Sequence, residues 1–195
     1  MLVADIPAVV ALADRLVGDG YYSRASVTEM LARSTSGDVV CSHVAELLSQ
    51  PPRLVGFRFS LPPGAWQHGR GQKISPELWP APLADSGYFQ TAFVDDAVRR
   101  QGLGSRMATA ALDSLRRLGA RGVVTHCWKE SPGNSSFRYL SRLGFRPIVE
   151  IDNYWIDVDY TCVRDGYPCL CTAVEMYLSL GDVPTSAGPA DTPDG

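Results

Sequence analysis

Lysine is nearly missing from this chain of 195 residues: Lys73 and Lys129 are the only two, and every other basic residue is arginine. The formal net charge is only -3, so there is no excess of either sign to hold nucleic acid or an anionic membrane surface, and neither is expected as a partner. The lysine scarcity reads as genome composition. A mildly acidic chain suits a cationic amine as substrate, which is a weak pointer. No apolar run approaches the length of a membrane span. The N-terminus has no basic stretch, and Asp5 and Asp14 interrupt its apolar residues, so a secretory signal is not expected. Five cysteines, an odd number, without such a signal point to a reduced, cytoplasmic protein. There are no internal repeats and no Gly-Lys-Ser/Thr of a Walker loop.

The elements that are present alternate in kind. A first helix is expected from Asp5 to Val17, with Asp5 as N-cap, Pro7 in the first turn and Gly18 as the stop. A second starts at Ser26, where Ser26 and Glu29 have capping-box spacing. Residues 38–46 and 54–60 read as an antiparallel strand pair. The stretch 61–87 carries five prolines, Trp66 and Trp79, and is expected to be a long loop that works as a lid. Strands are then expected at Tyr88–Val94, Gly122–Trp128, Phe145–Ile151 and Thr172–Leu180, and helices at Gly102–Leu118 and Asn134–Leu143. The expected organisation is one α/β (α+β) domain over residues 1–181, with a mixed, mostly antiparallel sheet flanked by helices, and a disordered tail over 182–195.

The chemistry concentrates at Phe93-Val94-Asp95-Asp96-Ala97-Val98-Arg99-Arg100-Gln101-Gly102-Leu103-Gly104-Ser105. A strand ends, a basic turn follows and a helix opens. A helix N-terminus leaves N–H groups unpaired and partly positive, and glycine lets a pyrophosphate approach the backbone closely. Arg99 and Arg100 add charge beside it. A Rossmann reading would need a third glycine at Met107.

Arg99-Arg100-Gln101-Gly102-Leu103-Gly104 resembles the acyl-CoA-binding motif of the GNAT superfamily of N-acyltransferases. The helix from Asn134 to the Gly144-Phe145 pair is similar to the family's second motif, and the likeness extends over about residues 4–151. It implies acetyl-CoA, or another short acyl-CoA, as co-substrate. The pyrophosphate would lie on Arg99, Arg100, Gln101, Gly102, Leu103, Gly104 and Ser105, and the pantetheine arm on Asn134. A backbone N–H at Phe93–Val94 would polarise the thioester carbonyl, with Val94 as the catalytic group. The reaction implied is direct transfer to a small-molecule primary amine, and a homodimer is an open expectation. The rival reading is a catalytically degenerate acyl-CoA sensor or partner-binding module.

Two departures from the pattern stand out. Only Leu2-Val3-Ala4 is left for the family's first strand. The tyrosine that serves as acid in many members falls on Leu140, with Tyr139 adjacent but about 100° away around a helix. Tyr139 is the candidate acid. His126 is the candidate base, against the plain alternative of a hydrogen-bonded sheet histidine, and Glu46 is its rival. Cys127 reads as a buried thiol and not a nucleophile. Trp66, His68 and Trp79 either line an acceptor pocket or pack on the sheet. Cys162, Cys169 and Cys171 lack paired spacing and a fourth nearby ligand, so no metal is expected.

Overall fold

The computed structural model describes residues 1–66 and 73–181. Its centre is a six-stranded sheet in the order β3-β4-β5-β6-β8-β7. The strands are β3 (His43–Leu47), β4 (Arg53–Leu61), β5 (Ser86–Val94), β6 (Gly122–Trp128), β7 (Arg146–Ile151) and β8 (Ala173–Ser179). Every neighbouring pair is antiparallel except β5 and β6, which run parallel. Two short strands, β1 (Thr35–Ser36) and β2 (Val39–Val40), form a separate hairpin. Among the described residues, no helix is long and apolar enough to cross a membrane.

The period-2 pattern of the strands sorts side chains to two faces. On the front face, Phe57, Phe59, Tyr88, Val124 and Tyr177 meet α1 (Ile6–Leu16) and α2 (Arg24–Arg33) through Val9, Leu12, Val27 and Leu31. On the back face, Phe89, Val123, Cys127, Val174 and Met176 meet α3 (Leu103–Arg117) and α4 (Ser135–Arg142) through Ala108, Ala111, Leu115 and Leu140. The mixed, helix-flanked sheet expected from the sequence is the observed architecture.

Several local expectations are corrected. The residues Leu2-Val3-Ala4 left for a first strand do not form one; Val3–Asp5 make a 3-10 turn. The Asp5 carboxylate closes that turn by accepting from Leu2 N at 2.6 Å, and it makes no cap bond to α1. Helix α2 begins three residues early, counted at its cap, because Ser23 is its N-cap and Ser26 the reciprocal partner, the two exchanging bonds of 2.9 and 3.0 Å. The 61–87 stretch is not a plain loop. Two 3-10 turns, Pro76–Leu78 and Leu83–Asp85, fold it against the sheet, and β5 starts within it at Ser86. The expected tail at 182–195 lies outside the described residues.

One irregularity positions the site. In the β4–β5 pairing, Phe59 faces Thr91 while Ser60 faces Phe89, so Gln90 is an extra residue in β5. Such a bulge bends its strand. The parallel β5–β6 ladder runs from Ser86–Gly122 to Phe89–Thr125 and ends there. Beyond it, β5 stays with β4 and β6 stays with β8, so the sheet is split.

Candidate active site

The cradle forms where β5 leaves the sheet. Asp95 is buried and ties this exit down: it accepts from Arg15 of α1 at 2.7 Å and Ala97 N at 3.1 Å, and lies 3.5 Å from Arg53 of β4. After a 3-10 turn at Asp96–Val98, Arg100 (φ 65) and Gly102 (φ 75) both take left-handed backbone. This pair of turns opens α3 toward solvent. Among the described residues no side chain caps α3, and its first internal bond runs from Arg106 N to Gly102 O. The N–H groups of Leu103, Gly104 and Ser105 are therefore those that a helix leaves for an anion. The two arginines differ. Arg99 is paired with Asp96 at 2.6 Å and donates to Val94 O at 3.3 Å. Arg100 is exposed and has no ion-pair partner among the described residues.

Strand alternation fixes the direction of the expected oxyanion donor. Asp95 N donates to Val55 O of β4 at 2.8 Å. The N–H of Val94, one residue back, consequently points the other way, toward the split. The Val94 side chain does not line the groove, whereas Phe93 does.

The split holds a cavity of about 200 Å³. Gln90, Thr91, Ala92 and Phe93 form one wall and His126, Cys127 and Trp128 the other. It reaches both faces of the sheet. The front mouth is aromatic, with Tyr21, Tyr22, Tyr88, Tyr154, Trp155 and Tyr160, and the back mouth is bounded by Arg58, Ser136 and Tyr139. Phe93, His126 and Tyr139 thus meet at one groove. The cradle residues and Asn134 do not line it; Asn134 (φ 54) sits exposed at the start of α4. That helix is capped by Ser131 instead, whose Oγ accepts from Ser136 N at 3.0 Å. Glu46 is exposed on the edge strand β3, with β4 and β5 between it and the split.

His126 is held on both sides. Its Nδ1 lies 3.0 Å from the Tyr88 hydroxyl, its Nε2 lies 3.1 Å from Lys73 O and 3.5 Å from Glu175 Oε2, and Tyr154 stacks on its ring at 4.4 Å. A carbonyl at Nε2 requires the proton there, which leaves Nδ1 to accept from Tyr88. Glu175 is wholly buried and accepts from Ser75 N at 3.1 Å and Trp79 Nε1 at 2.9 Å. A chain of contacts, Glu175–His126–Tyr88, ends on a groove wall. Trp79 is thereby explained as packing and anchorage. Trp66 is likewise buried, stacked on Tyr88 at 5.0 Å with Nε1 bonded to Ser86 O at 2.7 Å. Neither tryptophan lines the groove, and His68 lies outside the described residues.

On the back side, the Tyr139 hydroxyl donates to Gly104 O at 2.9 Å and accepts from Arg58 at 3.1 Å. Leu140 is buried in the core, and both it and the neighbouring Tyr139 line the groove, Tyr139 with the only hydroxyl of the two. Arg58 was not legible as a site residue. It is 2% exposed, stacks its guanidinium over Phe89 at 4.1 Å, and leaves Nε without a partner. No carboxylate pairs with it among the described residues. The available signal was an arginine at a back-facing position inside the apolar run Val55–Leu61. Burial pushes the Cys127 thiol up to about 12, which disfavours the thiolate that a nucleophile needs. The expectation that the three late cysteines lack a fourth partner also fails: Asp165 stands beside them.

Residues 63–145 match the family described as Acetyltransferase (GNAT) family. No curated protein matches the chain. Among solved structures, a GNAT superfamily phosphinothricin acetyltransferase from Sinorhizobium meliloti in complex with AcCoA is similar over 98% of this chain and 94% of its own, at 17% identity and a TM-score of 0.66. Ard1 from Thermoplasma volcanium is similar over 92% and 93%, at 18% identity and a TM-score of 0.62. The ribosomal-protein-S18-alanine N-acetyltransferase from Escherichia coli is similar over 93% and 91%, at 15% identity and a TM-score of 0.59. At these identities the likeness speaks for the fold. Residues 63–145 are thus similar to the GNAT acetyltransferase family, and the fold around them is that of the similar GNAT structures.

Proposed function

We propose that this protein is an acyl-CoA-dependent N-acyltransferase that moves an acetyl or other short acyl group directly from CoA to a primary amine on a small molecule. The observation that carries the reading is the split between β5 and β6, open to both faces of the sheet beside an uncapped helix N-terminus. The CoA pyrophosphate takes the N–H groups of Leu103, Gly104 and Ser105, with Arg100 beside it, and Asn134 is the contact for the pantetheine arm. The thioester enters the split from the back, where Val94 N–H polarises its carbonyl. The amine enters from the aromatic front mouth. Its proton passes to the Tyr88 oxygen as Tyr88 gives its own to His126 Nδ1, with Glu175 stabilising the imidazolium. His126 therefore acts through Tyr88, since neither of its nitrogens is open to the amine. Tyr139 is placed to protonate the departing thiolate, and Arg58 to stabilise the phenolate that remains.

A second reading, an acyl-CoA-binding module without turnover, is favoured by one feature: the Tyr139 hydroxyl is already committed to Gly104 O. The two separate on incubation with acetyl-CoA and a panel of small amines and free-N-terminus peptides, following thiol release. Release with a small amine above the hydrolysis rate is expected. Release with peptides alone would overturn the small-molecule acceptor. Tight CoA binding without release for any amine would leave the binding module.

A further inference from the structure

Between β7 and β8, residues 152–172 cross the front of the groove without a helix or strand. Their buried residues are Tyr154, Val158 and the three cysteines 162, 169 and 171. The cysteines form a core of their own, ringed by Trp128, Trp155 and Tyr160. Three thiols at the centre of an irregular segment are a small apolar reward for ordering its backbone.

The thiols are gathered with a carboxylate. One ligand atom each from Cys162, Asp165, Cys169 and Cys171 lies within 4.8 Å of all the others. Cys162 Sγ and Cys171 Sγ are 3.9 Å apart, and Cys171 Sγ is 3.0 Å from Asp165 Oδ2. Four ligands around a tetrahedral zinc, with Zn–S near 2.3 Å, set sulfur–sulfur edges of about 3.8 Å. The backbone builds this arrangement from a tight turn. Cys162 and Gly166 exchange bonds of 2.8 and 2.9 Å, and Gly166 takes φ 75. The turn folds Asp165 back beside Cys162, and Leu170 N at 3.2 Å holds its carboxylate. Further donors surround the sulfurs: the Tyr160 hydroxyl at 3.2 Å from Cys169 Sγ and Arg164 at 3.7 Å from Cys171 Sγ. Outer donors of this kind suit metal-bound thiolates.

We propose that Cys162, Asp165, Cys169 and Cys171 bind one Zn²⁺ ion in a four-coordinate structural site that fixes the front wall of the groove. Three thiolates and a carboxylate favour zinc over hard cations, and four protein ligands leave no open position for catalysis. The ion orders Tyr154, Trp155, Tyr160 and Val163, which line the front mouth. The inference rests on these four ligands and is independent of acyl transfer.

The test uses the full chain, purified without chelator under reducing conditions. Elemental analysis is expected to find about one zinc per chain. Cobalt-loaded protein should show a thiolate-to-cobalt charge-transfer band. Cys171→Ser should lower zinc retention at least tenfold, while Cys41→Ser and Cys127→Ser should leave it unchanged. Should Cys171→Ser fail to fold, mercurial titration of the wild-type chain, with a zinc-sensitive dye as readout, should release stoichiometric zinc as thiols are consumed. A reduced wild-type chain that retains no metal after incubation with zinc sulfate and dialysis overturns the site. A Cys162–Cys171 disulfide in freshly purified protein also overturns it.

Discussion

Arg58 occupies a position that stability alone would not choose. Burial lowers the pKa of its guanidinium, a penalty that the contact with Tyr139 only partly opposes. Removing a buried charge that has no carboxylate partner recovers desolvation energy, and replacement by an apolar side chain of similar length is often neutral or stabilising. Arg58→Met should therefore melt at the same temperature or higher. It should nonetheless lose at least about tenfold in turnover, the worth of one charge-assisted hydrogen bond. Melting curves and initial rates on the same preparation check both halves. Loss of stability with unchanged rate would assign Arg58 to the core. The cysteines give the opposite kind of residue. Burial raises Cys41 to about 11 and Cys127 to about 12 from an ordinary 9.0. A thiol whose folded pKa is raised contributes stability in full below the unfolded value and loses it as pH climbs from about 9 toward the folded value. At pH 8 both should resist alkylation by iodoacetamide in the native protein and react on unfolding, as peptide mapping would record. Rapid native labelling of Cys127 would reopen its reading as a nucleophile.

At the level of elements, the two cradle glycines separate folding from binding. Gly102 sits at φ 75, and a Cβ added there would have nothing within 4 Å, so a side chain fits in space but not in conformation. Gly102→Ala should cost about 1 kcal/mol of stability, seen in denaturant melts. Gly104 is helical, and the nearest atoms an added Cβ would meet belong to the Tyr139 side chain, at an ordinary contact distance of 3.6 Å. Gly104→Ala should fold as well as the parent, yet a methyl beside the N–H groups should weaken CoA binding about tenfold or more by calorimetry. Unchanged affinity would move the phosphate site elsewhere. Elements of this kind were the legible part of the sequence. Strand β6 runs over the expected Gly122–Trp128, and α3 lies within one residue of its expected ends, because apolar period and flanking glycines act locally. The 61–87 stretch differs from its expected form for the converse reason. Its prolines break local pattern, while Trp66 and Trp79 are fixed by Ser86 and Glu175, partners that no local spacing reveals. Asp165 is hidden likewise, since a turn at Gly166 and not a sequence period brings it to the cysteines.

For the whole molecule, the decisive feature is that the split pierces the sheet. Its back mouth lies beside the cradle and its front mouth beneath the aromatic wall, so the proposed donor and acceptor would have separate entrances and meet in the middle. Nothing in the sequence shows this directly, because it depends on one bulge at Gln90 and on β6 pairing onward with β8 instead of β5. The kinetics should reflect it in two ways. In the proposed direct transfer no acyl group rests covalently on the chain, so both substrates must be bound before transfer. Initial rates at varied acyl-CoA and amine should give intersecting reciprocal plots, and intact-mass spectra with acyl-CoA alone should show no acylated chain. Parallel plots with an acylated intermediate would overturn direct transfer. The front-side proton route makes a sharper demand on the same experiment. Tyr88→Phe keeps the aromatic wall and the sheet but interrupts the path to His126. It should lower kcat about a hundredfold, within the usual range for one acid–base group, while leaving CoA affinity unchanged because the cradle lies on the opposite face. If Tyr88→Phe and His126→Gln retain the parent rate and pH profile, the amine loses its proton to water, and the Glu175–His126–Tyr88 chain is only a buried polar strut between the two halves of the split sheet.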